Sequence, residues 1–138
     1  MKKHPQAFLD QLTDRLQHVP LHPPFVTVVV TVYNYQRYVV DCLRSIAQQS
    51  YTHYKCVVVD DCSTDQSVEV VERFIDEQEP GNRFLLVSHP SNQGQMAAFK
   101  TGLEHAEGEF LVYVDADDIL LPDFLVGHLR THLNGMPV

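Results

Sequence analysis

The stretch FVTVVVTV, residues 25–32, limits what this chain can become. Its β-branched apolar residues stand side by side instead of alternating with polar ones. A strand of that kind needs cover on both faces, as in a parallel sheet wrapped by helices. Residues 54–60, 84–88 and 110–114 repeat the pattern more weakly and read as further strands. Between them run helical stripes: Val39, Cys42, Leu43, Ile46 and Ala47 within 37–49, then Val68, Val71 and Ile75, then Met96, Phe99, Leu103 and Ala106. Pro80-Gly81-Asn82 breaks the second helix, Gly108 stops the third, and a last helix follows Pro122 to about Leu133. Strand and helix alternating through four strands predict right-handed crossovers and a Rossmann-like parallel sheet in three α/β/α layers.

At 138 residues the chain has the length of one domain. Residues 1–24 read as an appendage: a short amphipathic helix over 7–19, with Phe8, Leu12 and Leu16 or Val19 on one face, then a connector stiffened by Pro20, Pro23 and Pro24. The domain proper is expected over residues 25–138. Eighteen acids against ten bases give a net charge of −8, which argues against a nucleic-acid backbone as partner. Three cysteines, Cys42, Cys56 and Cys62, lack metal-site spacing and suggest reduced thiols. With no signal peptide and no transmembrane run, a cytoplasmic protein is expected, with peripheral attachment to the inner membrane surface as the variant of that expectation.

Ligands of such sheets bind beyond the carboxyl ends of the strands. All four strand-to-helix turns are polar there: Thr31, Tyr33 and Asn34 after the first, Asp60 and Asp61 after the second, Asn92, Gln93 and Gly94 after the third, and Asp115, Asp117 and Asp118 after the fourth. In an extended chain Asp115 and Asp117 share a side, with Ala116 opposite. Two carboxylates about 5 Å apart repel by roughly 3 kcal/mol at an effective dielectric near 20. A cation, a shared proton or full exposure must offset that. Hard oxygens with room for substrate oxygens suit Mg²⁺ or Mn²⁺ bound to a diphosphate; the plainer alternative is a solvated acidic turn closed by Pro122. Neither GxxxxGK[ST] nor GxGxxG occurs, so a glycine phosphate cradle is excluded. Asp61 could accept from the N–H of a base and Tyr33 could stack on it; the alternatives are a half-buried turn aromatic for Tyr33 and, for Asp60, a carboxylate satisfying loop amides. His128 and His132 stand four apart on a helix but lack a third ligand, and Cys62 has no histidine beside it to make it a nucleophile.

The segments TVVVTVYNYQRYVVDCLRSIAQQSY, VVVDDCSTDQS, NQGQMAAFKTGLEHAEGEF and VYVDADDILLPDFL, in this order and spacing, resemble the nucleotide-sugar-binding half of family 2 glycosyltransferases of the GT-A fold. The likeness covers residues 25–130. It implies that Thr31 and Tyr33 line the base and ribose pocket, with Asn34 beside them, that Asp61 contacts the base, usually uracil, and that Gly94 lies on the donor side. It implies that Asp115 and Asp117 form the DxD holding metal and donor diphosphate or ribose, with Asp118 a further metal ligand. Where many relatives have Arg-Asn this chain has Phe99-Lys100, so Lys100 stands as a point charge in place of a bidentate Arg. The implied reaction is inverting transfer of a sugar, UDP-linked, to an acceptor hydroxyl on a saccharide, lipid-linked or protein substrate. In the family the acceptor half and catalytic base follow the DxD region, so this chain, ending at Val138, is expected to be the donor-binding part, with Asp123 only a helix-start charge. A non-catalytic nucleotide-binding or interaction module on the same fold is the alternative. A receiver-type signalling domain is disfavoured because the turns after strands one and three offer Tyr33-Asn34 and His89-Pro90 instead of acidic residues. A nucleotidyltransferase is disfavoured by the missing glycine-rich loop. A homodimer is expected through the open edge of the fourth strand or the last helix, and sedimentation at low micromolar concentration tests it.

Overall fold

The structure, a computed structural model, describes residues 23–133. The helix expected over residues 7–19 lies outside them. β1 (Val26–Val32) is buried along its whole length, and each of its valines is 1% exposed or less. Burying a valine fully contributes roughly 1.5–3 kcal/mol relative to leaving it exposed, so the strand is driven to the interior of the sheet. It pairs in parallel with β2 (Tyr54–Asp60) on one side and β4 (Phe110–Asp115) on the other, and β3 (Phe84–Ser88) pairs in parallel with β2. The order is β3-β2-β1-β4. The chain therefore steps outward from β1 to β3 and returns to the other side of β1 for β4. The sheet's switch point lies between the carboxyl ends of β1 and β4, where Thr31 pairs with Asp115.

Helices cover the two faces unequally. α1 (Val39–Ala47), α2 (Ser67–Glu77) and α4 (Phe124–Leu133) pack on one face, where Leu43, Ile46, Val71, Phe74, Leu125 and Leu129 meet the even-numbered valines of β1. Among the described residues α3 (Gln95–Glu104) is the helix on the other face, and it lies against β1 and β2. Its close approach requires Gly102, since a Cβ there would run into the Val29 side chain. β4 is an edge strand, and on the α3 face its Leu111 and Tyr113 stay partly open to solvent. Among the described residues no helix is long and apolar enough to cross a membrane.

The expected parallel sheet and its four strands are present, with bounds within a residue or two of the sequence pattern. One local expectation needs correction. The chain is not extended through Asp117. β4 ends at Asp115, and residues 115–118 form a turn closed by the Asp118 N–H donating to the Asp115 carbonyl at 3.0 Å. Ala116 is buried in the core on the α1 face, leaving Asp117 and Asp118 exposed.

Candidate nucleotide and metal site at the sheet switch point

The turn does what extension could not: it gathers all three carboxylates. Asp115, Asp117 and Asp118 each place one oxygen within 4.8 Å of the others. No lysine or arginine forms an ion pair with them among the described residues. Their field is felt below the turn. The Cys42 thiol, donating to the Asp115 carbonyl at 3.5 Å, is pushed up to about 12, first by burial and then by the charges of Asp118, Asp117 and Asp115. Three hard oxygens on an exposed turn fit Mg²⁺ or Mn²⁺, which keep several positions for water or phosphate. Of the three, Asp115 is the anchored one. Its Oδ1 accepts from the Tyr113 hydroxyl at 2.9 Å and from Gln95 Nε2 at 3.2 Å.

The acidic pair after β2 is built differently. Asp60 is 2% exposed and accepts from the Ser63 N–H at 3.0 Å and the Ser63 hydroxyl at 2.5 Å. This is the loop-amide role weighed for it. Asp61 is 3% exposed. Its Oδ1 accepts from His89 Nδ1 and the Gln93 N–H, and its Oδ2 from the Gly94 N–H, all at 2.8 Å. Burial raises the Asp61 carboxyl, but the Gln93 amide, the His89 side chain and the Gly94 amide outweigh it and hold it below the usual carboxylate range. A carboxylate has about four lone-pair sites, so one on Oδ2 remains for a ligand. Gly94, with φ of 95°, spends its N–H on Asp61 and presents no free amide to a phosphate.

Asn34 is mainly a strut. In the left-handed region at φ 56°, its Oδ1 accepts from the Thr64 and Asp65 N–H groups at 2.8 and 3.2 Å, joining the loops after β1 and β2. Only its Nδ2 makes no hydrogen bond among the described residues. Tyr33 is 43% exposed and its hydroxyl is likewise unbonded, so its ring can receive a stacking partner. Thr31 is 7% exposed and hydrogen-bonds the Tyr113 hydroxyl at 2.8 Å. Lys100 is exposed on α3 and joins no ion pair among the described residues. Its neighbour Phe99 turns inward and meets Tyr113 edge to face, at 5.2 Å between ring centroids. Gln95, Met96, Phe99 and Tyr113 line an open apolar cleft of about 410 Å³ beside Asp115.

Four residues escaped the sequence reading: Tyr113, Gln95, His89 and Thr101. Tyr113 had a signal, since two residues before Asp115 in a strand means the same face. His89 and Thr101, whose hydroxyl lies 2.7 Å from His89 Nε2, had none beyond proximity to the rim. His128 and His132 lie on α4 against Phe124 and Phe110, and no third metal-ligating group joins them among the described residues. Cys62 sits at φ 63° with its thiol 3.8 Å from the Pro90 carbonyl. The described cysteines form no disulfide.

The profile of glycosyl transferase family 2 matches residues 27–136. An uncharacterised glycosyltransferase of Haemophilus influenzae is 34% identical over 110 residues, covering 80% of this chain and 43% of that protein. The poly(ribitol-phosphate) β-N-acetylglucosaminyltransferase TarS of Staphylococcus aureus is 35% identical over 96 residues, 68% of this chain and 16% of TarS. The crystal structure of S. aureus TarS 1–349 in complex with UDP is similar at a TM-score of 0.68 and 31% identity, over 76% of this chain and 31% of that one. The mannosyltransferase PcManGT from Pyrobaculum calidifontis, in complex with GDP-Man and Mn²⁺, is similar at a TM-score of 0.66 and 31% identity, over 83% of this chain and 35% of that one. The chain thus spans less than half the length of these relatives. It belongs to glycosyl transferase family 2, on the parallel α/β fold of the GT-A enzymes.

Proposed function

We propose that this chain is the donor-binding part of an inverting family 2 glycosyltransferase that takes a UDP-linked sugar with Mg²⁺ or Mn²⁺. The observation that carries the reading is the carboxylate trio at the switch point, with oxygens within 4.8 Å of one another and, among the described residues, no cationic side chain paired to them. Asp115, Asp117 and Asp118 would hold the cation, which when bound neutralises charge on the departing diphosphate. Thr31, at the carboxyl end of β1, and Tyr33 beyond it would border the base and ribose, Tyr33 by stacking. The remaining Oδ2 lone pair of Asp61 would take an N–H of the base, and Asn34 Nδ2 and Lys100 would supply outer polar contacts. That TarS was crystallised with UDP and PcManGT with GDP-Man and Mn²⁺ supports both the nucleotide class and the metal.

The acceptor site and the base are assigned to the length that the relatives have beyond the matched region. Asp123, the next carboxylate after the turn, accepts the Ser50 hydroxyl at 2.6 Å ahead of α4 and takes no part in the proposed chemistry. Calorimetry with UDP tests the reading. Weak binding in Mn²⁺ that disappears in EDTA is expected, and equal affinity in both would remove the metal from the account.

A further inference from the structure

The Asp115 side chain is held by a small polarised network, and the proton count fixes its direction. Asp115 Oδ1 can only accept when ionised, so the single Tyr113 hydroxyl proton goes to it at 2.9 Å. The Tyr113 oxygen must then accept from Thr31 Oγ1 at 2.8 Å and from Gln95 Nε2 at 2.6 Å. Gln95 Nε2 carries two protons, and the second reaches Asp115 Oδ1 at 3.2 Å. The orientation of the Gln95 amide follows from the carboxylate, which accepts but cannot donate. The chain of donors thus ends on Asp115 Oδ1, reached by the Tyr113 hydroxyl and one Gln95 N–H, while Thr31 and the other Gln95 N–H donate to the Tyr113 oxygen. Oδ2 of Asp115 makes no hydrogen bond among the described residues.

We propose that Tyr113 and Gln95 are positioning residues: they saturate Oδ1 of Asp115 and leave Oδ2 as the oxygen turned to the cation. The proposal rests on the metal reading given above. Chains of hydrogen bonds polarise one another, so Thr31 contributes through Tyr113 without touching the carboxylate. It also fixes the part Thr31 can play. With its proton committed to Tyr113, Thr31 Oγ1 would meet a nucleotide as an acceptor, so it suits a ribose hydroxyl and not a base carbonyl. The Tyr113 ring is held independently by its edge contact with Phe99. Removing the hydroxyl therefore leaves the ring seated.

Titration of Mn²⁺ into the chain, followed by the electron paramagnetic resonance of the free ion, tests this without any donor or turnover. Tyr113→Phe and Gln95→Met should each weaken Mn²⁺ binding by roughly tenfold, the lower end of what partners of metal ligands contribute. Thermal midpoints should stay close to that of the unaltered chain. In an Asp115→Asn background, whose residual affinity rests on Asp117 and Asp118, Tyr113→Phe should have no further effect on Mn²⁺. Mn²⁺ binding that is indifferent to both substitutions overturns the positioning role alone. A loss of equal size with and without Asp115 also overturns it, because the effect would then be general to the fold. No Mn²⁺ binding by the unaltered chain overturns the metal reading, and this proposal with it.

Discussion

Two acidic clusters stand at the carboxyl ends of strands in this molecule, and they are opposites. Asp60 and Asp61 are 2% and 3% exposed, and both accept hydrogen bonds from loop donors, with one Oδ2 site of Asp61 left over. Asp117 and Asp118 are exposed, and neither carboxylate accepts a hydrogen bond among the described residues. In sequence both clusters are aspartates closing an apolar run, Asp60-Asp61 after one and Asp115, Asp117 and Asp118 after the other. The lesson concerns what a buried carboxylate is for. One that is satisfied by backbone N–H groups organises the chain, here fixing the loop that leads into α3. One left with like-charged neighbours and open oxygens stores repulsion that a cation relieves.

The same chemical change at both clusters separates the two roles. The largest effect on stability is expected from Asp61→Asn. The amide keeps one oxygen and sets an NH2 in place of the other, so either the Gly94 N–H or the Gln93 N–H and His89 lose their acceptor and the charge is gone, at a cost of about 3 kcal/mol in urea unfolding. A change near zero would mean that water or loop movement replaces the clamp, and the contrast between the clusters would collapse.

Acid should reveal the clamp in the unaltered chain. Asp61 is held below its ordinary value of 3.8, so the unfolded chain takes up the proton first as pH falls. The stability it contributes is full above that ordinary value and is lost as pH drops through the lower folded one. Asp65 adds to the same slope. Burial raises its carboxyl, but the Ser67 hydroxyl and N–H and the Gln36 N–H outweigh it. Stability curves of the unaltered chain and Asp61→Asn should therefore converge as pH falls below 3.8. Parallel curves would show that the carboxylate's charge does not matter to the clamp.

The smallest effect belongs to Asp117→Asn without metal. An exposed carboxylate leaving a cluster of like charges should change unfolding stability by no more than about 0.5 kcal/mol, in the stabilising direction if at all. A loss well beyond that would give Asp117 a structural task and erase the distinction from Asp61.

Much of this architecture was readable in one dimension. The unbroken run of β1 demanded burial on both faces, the helical stripes between strands demanded crossovers, and parallel strands put all four polar turns on one rim. These are properties of local periodicity, and periodicity is written residue by residue. Membership of glycosyl transferase family 2 was legible through the order and spacing of the motifs on that rim. What escaped was pairing. Asp61 finds its amides 32 and 33 residues away, because β3 lies beside β2 and the loops after them meet. Gln95 reaches Tyr113 and Asp115 because α3 crosses that face and Gly102 lets it sit close. The three carboxylates converge because the chain turns after Asp115 to bury Ala116, which no alternation rule predicts. The sequence by itself determined which residues line the rim. Only the tertiary structure decided which of those carboxylates are already satisfied, because hydrogen-bond partners are set by the packing of distant segments and a strand pattern carries no record of its neighbours.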